Sequence, residues 1–238
     1  MTSTGNREYY DAFSFRYDER RSEGYHRLID DQAAEIVRRV GEGKTILEVG
    51  CGTGLILGRV ARFAAAAQGL DLSPGMLERA RERGLDVREG SGTELPYEDA
   101  SFDVAYSFKV LSHIPDFDTC LAEMLRVVRP GGHVIFDVYN RHSLRYLIKR
   151  LFGPRHTSDQ FDEGAITTRF WSAAEAETHL PREAKLLAIV GIRIVTIHPG
   201  VYRAPLLSAL TERLEWYLMD SRLSRYAGFL VYVLEKRT

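Results

Sequence analysis

Cysteine is scarce, with only Cys51 and Cys120 among 238 residues. Two are too few for a disulfide framework or a cysteine-built metal site, and they suit a reducing compartment such as the cytoplasm. No His/Cys/Asp cluster has metal-ligand spacing, so no metal is expected. An excess of one charge is also missing. The net charge of −1 gives no global attraction to nucleic acid. Long hydrophobic runs are absent: the most apolar stretch, residues 186–197, is interrupted by Arg193 and is too short to span a bilayer. The N-terminal Met1-Thr2-Ser3-Thr4-Gly5 is polar and lacks a signal-peptide core. What remains, 45% hydrophobic and 27% charged, is ordinary for one soluble globular domain with an elaboration.

The stretch that is present and unusual is Thr45-Ile46-Leu47-Glu48-Val49-Gly50-Cys51-Gly52-Thr53-Gly54. It reads as a buried strand, residues 45–49, entering a glycine-rich turn, with a helix over 55–63. Glycines at 50, 52 and 54 allow a tight turn and close approach of a ligand to the backbone. The turn delivers the chain to a helix N-terminus, whose free N–H groups can meet polar ligand atoms. Glu48 is a carboxylate inside an apolar strand, which is costly unless it is hydrogen-bonded. The next strand-like run, 67–72, contains Asp71, 21 positions after Gly50. That is close to the spacing of ~20 at which a carboxylate meets ribose hydroxyls in dinucleotide folds. A glycine turn alone also serves ligand-free turns, and strands often end in Asp; the pair together argues for a nucleotide-like ligand.

Periodicity places the rest. Residues 24–40 form an amphipathic helix through Leu28, Ala33, Ile36 and Val40. Ser73-Pro74 starts a helix that runs to Arg83 and stops at Gly84. Strands are expected at 86–91, 102–107, 133–140, 185–197 and 228–236, with a helix from Asp116 or Asp118 to Val128. Strands alternating with helices imply a doubly wound, mostly parallel α/β sheet. Ligands bind beyond the C-terminal strand ends of such sheets, where Gly50, Asp71, Ser91 and Ser107 fall. Residues 141–152 carry a helical apolar stripe. Between 141 and 155 they hold Arg141, Arg145, Lys149, Arg150 and Arg155 and no acid. This reads as a solvated face, an anion-binding surface or a peripheral membrane contact. The leucine-rich helix 203–225 reads as a roof over a substrate pocket. Residues 6–20 read as an aromatic arm.

Four stretches carry a family resemblance: Glu48-Val49-Gly50-Cys51-Gly52-Thr53-Gly54; Gly69-Leu70-Asp71-Leu72-Ser73-Pro74-Gly75-Met76-Leu77; Leu95-Pro96-Tyr97 ahead of Ser101 to Ser107; and Leu125 to Gly132. Together they resemble the class I S-adenosylmethionine-dependent methyltransferases, in the small-molecule branch that includes the ubiquinone and menaquinone biosynthesis enzymes. The resemblance covers about residues 40–140. It implies a seven-stranded Rossmann-like sheet with a helical lid and an antiparallel last strand. The parts would be arm and helix (1–40), cofactor core (41–140), lid with strand six (141–226) and last strand (227–238). It implies S-adenosylmethionine as cofactor and S-adenosylhomocysteine as product. Cofactor contacts would come from Glu48, Gly50, Cys51, Gly52, Thr53 and Gly54, then from Asp71, Leu72 and Met76. Others would come from Ser91, Gly92, Ser107 and Phe108, with Tyr17 laid over the cofactor. Where the family commonly has Asp beside the adenine, this chain has Gly90-Ser91-Gly92.

The acceptor is expected to be a small hydroxylated or aromatic metabolite. A phospholipid or other amphiphile, and a non-catalytic cofactor-binding subunit, are the alternatives. Methyl transfer mainly needs positioning and exclusion of water. A base is required only for an acceptor that must lose a proton. His113 is the leading candidate, with Tyr139 and His142 behind it and Asn140 as an orienting group. A packing role for His113 competes with this. Amino-directed adenine methylation is disfavoured, because Ser107-Phe108-Lys109 lacks the Asn/Asp-Pro-Pro-aromatic pattern. A dehydrogenase is disfavoured by Gly-x-Gly-x-Gly in place of Gly-x-Gly-x-x-Gly.

Overall fold

The computed structural model describes residues 11, 14–19, 21, 23–144, 146, 147, 150, 168–196 and 199–238. Its centre is β1 (Thr45–Val49), flanked by β2 (Ala66–Asp71) and β4 (Phe102–Ser107). Adding β3 (Asp86–Glu89), β5 (Val128–Asn140), β7 (Ala184–Ile192) and β8 (Phe229–Lys236) gives the sheet order β3-β2-β1-β4-β5-β8-β7. A two-residue β6 (Phe170–Trp171) pairs with the end of β5 and makes an eighth strand. The sheet is parallel from β3 to β5, and β8 runs antiparallel to both β5 and β7.

Alternation along each strand builds two cores, because successive side chains leave opposite faces of a sheet. Ile46, Val104 and Ile135 meet α1 (Gly24–Gly41) through Ala33, Ile36 and Val37. Leu47, Ala105 and Phe136 meet α4 (Phe117–Val127) through Phe117, Leu121 and Met124. With both faces covered, the central strands read as near-continuous apolar runs. Truncating Leu47 or Leu121, both fully buried, to alanine should cost about 2–5 kcal/mol. The helix α3 (Pro74–Glu82) begins as the sequence implies: Ser73 caps it by accepting from Met76 N at 3.2 Å, and Pro74 takes the first position.

Four expectations need correction. The helix expected over 55–63 shrinks to α2 (Leu57–Val60). The chain must turn back into β2, and the Phe63 carbonyl is used instead to accept from Gly43 N. Strand β5 starts at Val128, ahead of the predicted 133, because Val128 pairs with Phe102 across a bulge. Strand β7 stops at Ile192, since Arg193 takes a left-handed φ of 66° and breaks the run expected to reach 197. The predicted helix 203–225 divides into α6 (Pro205–Leu218) and a 3-10 turn, Arg222–Tyr226. Between β6 and β7 lies the short α5 (Ala173–Thr178), closed by a capping box of Ser172 and Glu175.

Of the basic stretch 141–155, Arg141 pairs with Glu175 at 3.1 Å and donates to the Phe170 carbonyl. Leu144, Tyr146, Leu147 and Arg150 are helical. Arg145, Lys149 and Arg155 lie outside the described residues, as do Tyr9, Tyr10 and Phe13 of the arm. Among the described residues no helix is long and apolar enough to cross a membrane.

Candidate active site

The C-terminal ends of β1, β2 and β4 open onto a cleft of about 990 Å³, its solvent-open mouth included. Strand order reverses between β1 and β4, which is where an α/β sheet leaves a crevice.

The glycine turn forms one wall. Gly50 N and Cys51 N both donate to the Leu70 carbonyl, at 2.7 and 3.0 Å, fastening the turn to β2. Gly50, Gly52 and Gly54 all have left-handed φ, 78°, 53° and 80°. A side chain at Gly50 would collide with Val110, and one at Gly54 with Leu85, whereas one at Gly52 would meet nothing within 4 Å. Packing therefore explains two of the glycines, and Gly52 is the one that leaves its backbone open to a ligand. Cys51 lines the cleft, but burial pushes its thiol well above the ordinary value, so it is inert.

Asp71 sits at the lip of β2. Its two oxygens accept from Gly52 N at 2.8 Å and Ser73 N at 2.9 Å. Burial raises its pKa, against the backbone N–H groups of Ser73, Gly52 and Leu72, which lower it. Each carboxylate oxygen has a second lone pair, so acceptor capacity remains toward the cleft. Glu48 lines the cleft floor and accepts from the Tyr106 hydroxyl at 3.0 Å. Burial pushes its carboxyl well above the usual range.

The arm closes over this wall. Tyr17 lines the cleft. Asp18 accepts from Thr53 Oγ1 at 2.6 Å and from Arg83 at 2.7 Å, and Arg83 also donates to the Thr53 carbonyl at 2.7 Å. Asp11 accepts from Ser73 Oγ and Gly75 N, over the start of α3. Neither aspartate was identified from the sequence; the signal was the carboxylate next to Tyr17.

The other wall carries Arg21, Asp30, Lys109 and His113. Lys109 Nζ donates to Asp30 Oδ1 at 2.8 Å. Its backbone is held at φ 61°, and its N–H donates to Asp137 Oδ1 at 2.7 Å. Burial raises Asp137 to about 7, against the Lys109 N–H and ammonium, which lower it. His26 on α1 is pushed down to about 3 by burial and by the nearby Arg21 and Lys109. His113 is buried, with Nδ1 3.4 Å from Thr168 Oγ1 and its ring edge-on to Tyr139.

Of the residues named from the sequence, the cleft brings together Tyr17, Glu48, Gly50, Cys51, Gly52 and Thr53. It also brings in Asp71, Leu72, Met76, Gly92, Phe108 and His113. Gly54, Ser91, Ser107, Tyr139 and His142 are not in its lining. Ser107 Oγ donates to the Val49 carbonyl at 2.7 Å, and Ser91 Oγ bonds Thr93 at 2.7 Å. Tyr139 packs against Phe170 and Phe229, and His142 is exposed. Asn140 does not face the cleft either: its amide donates to the Arg225 and Ala227 carbonyls. No residue of α6 lines the cleft. Lys109 lines the cleft, as expected of the strand end 107–109, but Arg21 and Asp30 were missed. A carboxylate on the buried face of α1, Asp30, was the available signal for one of them. Among the described residues, no group of three or more His, Cys, Asp or Glu could hold a metal.

A doubly wound sheet ending in an antiparallel strand, with a glycine turn and a strand-end carboxylate at its crevice, defines the fold of the S-adenosylmethionine-dependent methyltransferases. Two solved structures share it along nearly their whole length. One is an S-adenosylmethionine-dependent methyltransferase from Thermotoga maritima, with TM-score 0.69, 20% identity, and 98% and 99% of the two chains covered. The other is the N-methyltransferase NodS from Bradyrhizobium japonicum, bound to S-adenosylhomocysteine, with TM-score 0.65, 14% identity, and 98% and 100% covered. Residues 47–136 match the family described as a methyltransferase domain. A ubiquinone biosynthesis O-methyltransferase from Alkalilimnicola ehrlichii is 38% identical over 113 residues, 44% of this chain. The matched part spans about half of that relative, 46%. NodS holds S-adenosylhomocysteine, the product form of the cofactor that the sequence resemblance implies. The residues present fit it: Gly52 leaves room for close approach, and Asp71 keeps acceptor capacity at the lip of the cleft.

Proposed function

We propose that the chain transfers a methyl group from S-adenosylmethionine to a small hydroxylated or aromatic metabolite, with oxygen the first acceptor atom to test. The observation that carries this is the crevice itself. It has a cofactor wall of Gly52 and Asp71 and, across from it, a wall with the titratable His113. When bound, the cofactor supplies a methyl already activated on a sulfonium. The chain then has to hold, orient and keep dry. Asp71 would accept from ribose hydroxyls. Tyr17, Phe108, Val110 and Ile114 line the cleft and displace water from it. His113 is the group this reading assigns to take a proton from a hydroxyl acceptor.

A second reading has one observation in its favour. Leu206, Leu210 and Tyr217 of α6 are 87%, 56% and 80% exposed. Such a face suits an amphiphilic acceptor presented at a membrane surface. The test is transfer of labelled methyl to a metabolite extract with and without lipid vesicles. Label in a water-soluble product supports the first reading, and label only in lipid supports the second. Binding of S-adenosylhomocysteine with no transfer to either fraction would point to a non-catalytic subunit.

A further inference from the structure

One face of α6 is used by neither the core nor the cleft. At 3.6 residues per turn, Leu206, Tyr217, Leu210, Leu214 and Leu207 fall within one stripe about 100° wide. All five are exposed. Glu215 is buried on the far side of the helix, where it holds the backbone of residues 194–196. The helix therefore turns a polar side to the protein and an apolar side to solvent, the reverse of an ordinary surface helix. An exposed apolar patch of this kind marks an interaction site.

The charges around the stripe indicate what it meets. Residues 199–227 contain three acids, and each is occupied. Glu212 pairs with Arg27 at 2.7 Å, Asp220 pairs with Arg39 at 2.8 Å, and Glu215 accepts from three backbone N–H groups. The same span has four arginines, Arg203, Arg213, Arg222 and Arg225, all exposed. Among the described residues none of the four forms an ion pair. Arg213 borders the stripe, and Arg203 precedes the helix. Arg222 and Arg225 follow it in the 3-10 turn, beside the exposed Leu223 and Tyr226. Leucines flanked only by spare cations match an anionic bilayer: the leucines enter the headgroup boundary and the arginines stay at the level of the phosphates. Protein interfaces are anchored mainly by aromatic side chains and arginine and under-use leucine, whereas this stripe is four leucines and one tyrosine. A second copy fits less well, since a two-fold contact across the stripe would bring like charges together.

The position of the helix suits such a contact. β8 is antiparallel to both β5 and β7, so β7 runs with β5, and the 193–228 connection leaves from the cleft end of the sheet. Tyr202, just ahead of α6, has its ring 6.4 Å from that of Tyr25 at the start of α1. Asp220, just after α6, reaches Arg39 near the end of α1. The helix thus lies alongside α1 with its first leucines toward the cleft end.

We propose that the exposed stripe of α6 docks the protein on an anionic lipid surface. The second reading above concerns what is methylated. Docking concerns where the protein sits, and it holds for a water-soluble acceptor as for a lipid one.

Co-sedimentation of the full chain with vesicles tests it, with phosphatidylcholine alone and with phosphatidylcholine mixed with phosphatidylglycerol. Wild type should sediment with the mixed vesicles, less so at raised salt, and bind phosphatidylcholine alone at least about tenfold more weakly. Arg213→Gln should lower the partition coefficient about fivefold, the scale of one basic side chain at such a surface. Leu206→Gln combined with Leu210→Gln should lower it more than about tenfold. These side chains are exposed, so Tm should match wild type. Equal binding to both vesicles, or binding that survives the leucine variant, overturns the proposal. No sedimentation with the mixed vesicles also overturns it, and would assign the stripe to a protein partner. A wild-type dimer in analytical ultracentrifugation that the leucine variant dissociates would overturn it in favour of a second copy. None of these failures touches the methyl-transfer reading, which is scored by label in the product.

Discussion

Burial governs the carboxyls behind the cleft more than their partners do. Asp137, lifted to about 7, is the case with a usable window. Its folded pKa lies above the unfolded value of about 3.9. Its contribution to stability is therefore complete below about pH 4 and is lost as pH rises through 7. The loss approaches roughly 4 kcal/mol, at about 1.4 kcal/mol per unit. Asp137→Asn removes the titration and keeps an oxygen for the Lys109 N–H. Urea unfolding at pH 5 and pH 8 should show the variant gaining on wild type at the higher pH, and parallel behaviour would refute the buried titration. His26, with its pKa lowered, acts in the opposite sense, losing stability as pH falls from about 6.5 toward 3. It is common to both proteins and cancels in the comparison. At the same scale, His113→Gln should lower turnover by about 10²–10⁴-fold if it takes a proton, with S-adenosylhomocysteine affinity unchanged. A mild loss that follows a lower Tm would make it a packing residue against Tyr139. Gly50, Gly52 and Asp71 could be read from spacing because their roles are local to one strand–turn–strand unit. Asp30 and Lys109 could not, because their pairing joins positions 79 residues apart.

At the scale of elements, α6 shows how composition misleads. Its leucines suggest a roof over a pocket, yet Leu206, Leu207 and Leu210 are exposed and the buried residue is Glu215. Glu215 accepts from the backbone N–H groups of Ile194, Val195 and Thr196 at 2.7–3.0 Å, and its carbonyl accepts from Gln32. Arg27 on α1 adds an ion pair with Glu212 at 2.7 Å. These bonds lay the helix along α1, away from the crevice. Glu215→Ala strands three donors, two of them buried, each buried one costing about 1–3 kcal/mol, so a loss of about 2 kcal/mol or more is expected by denaturant unfolding. A variant within about 0.5 kcal/mol of wild type, the scale of an ordinary surface change, would contradict that role. Periodicity could not reveal this, since one polar residue on a leucine-rich helix carries no pattern. The two-residue β6 was equally illegible, being too short for alternation. The core elements β1, β4, α1 and α4 were legible because burial on both sheet faces writes long apolar runs into the sequence.

For the whole molecule, the order β3-β2-β1-β4-β5-β8-β7 puts the strand reversal beside the glycine turn. That single topological fact sets Asp71 on one wall and Lys109 with His113 on the other. The arm then fastens the top, through Asp18 on Thr53 and Arg83 and Asp11 on the start of α3. Neither bond could be foreseen, because tying residue 18 to residue 53 requires knowing how the arm crosses the sheet. Both functional readings above depend on this crevice holding the cofactor with Asp71 on the ribose. That is tested most directly by calorimetric titration of S-adenosylhomocysteine into wild type and Asp71→Ala. Saturable one-to-one binding to wild type is expected, weakened in the variant by about 1.5–3 kcal/mol, the scale of a hydrogen bond to a charged group. Absence of binding to folded wild type, or equal affinity in the two proteins, would contradict it.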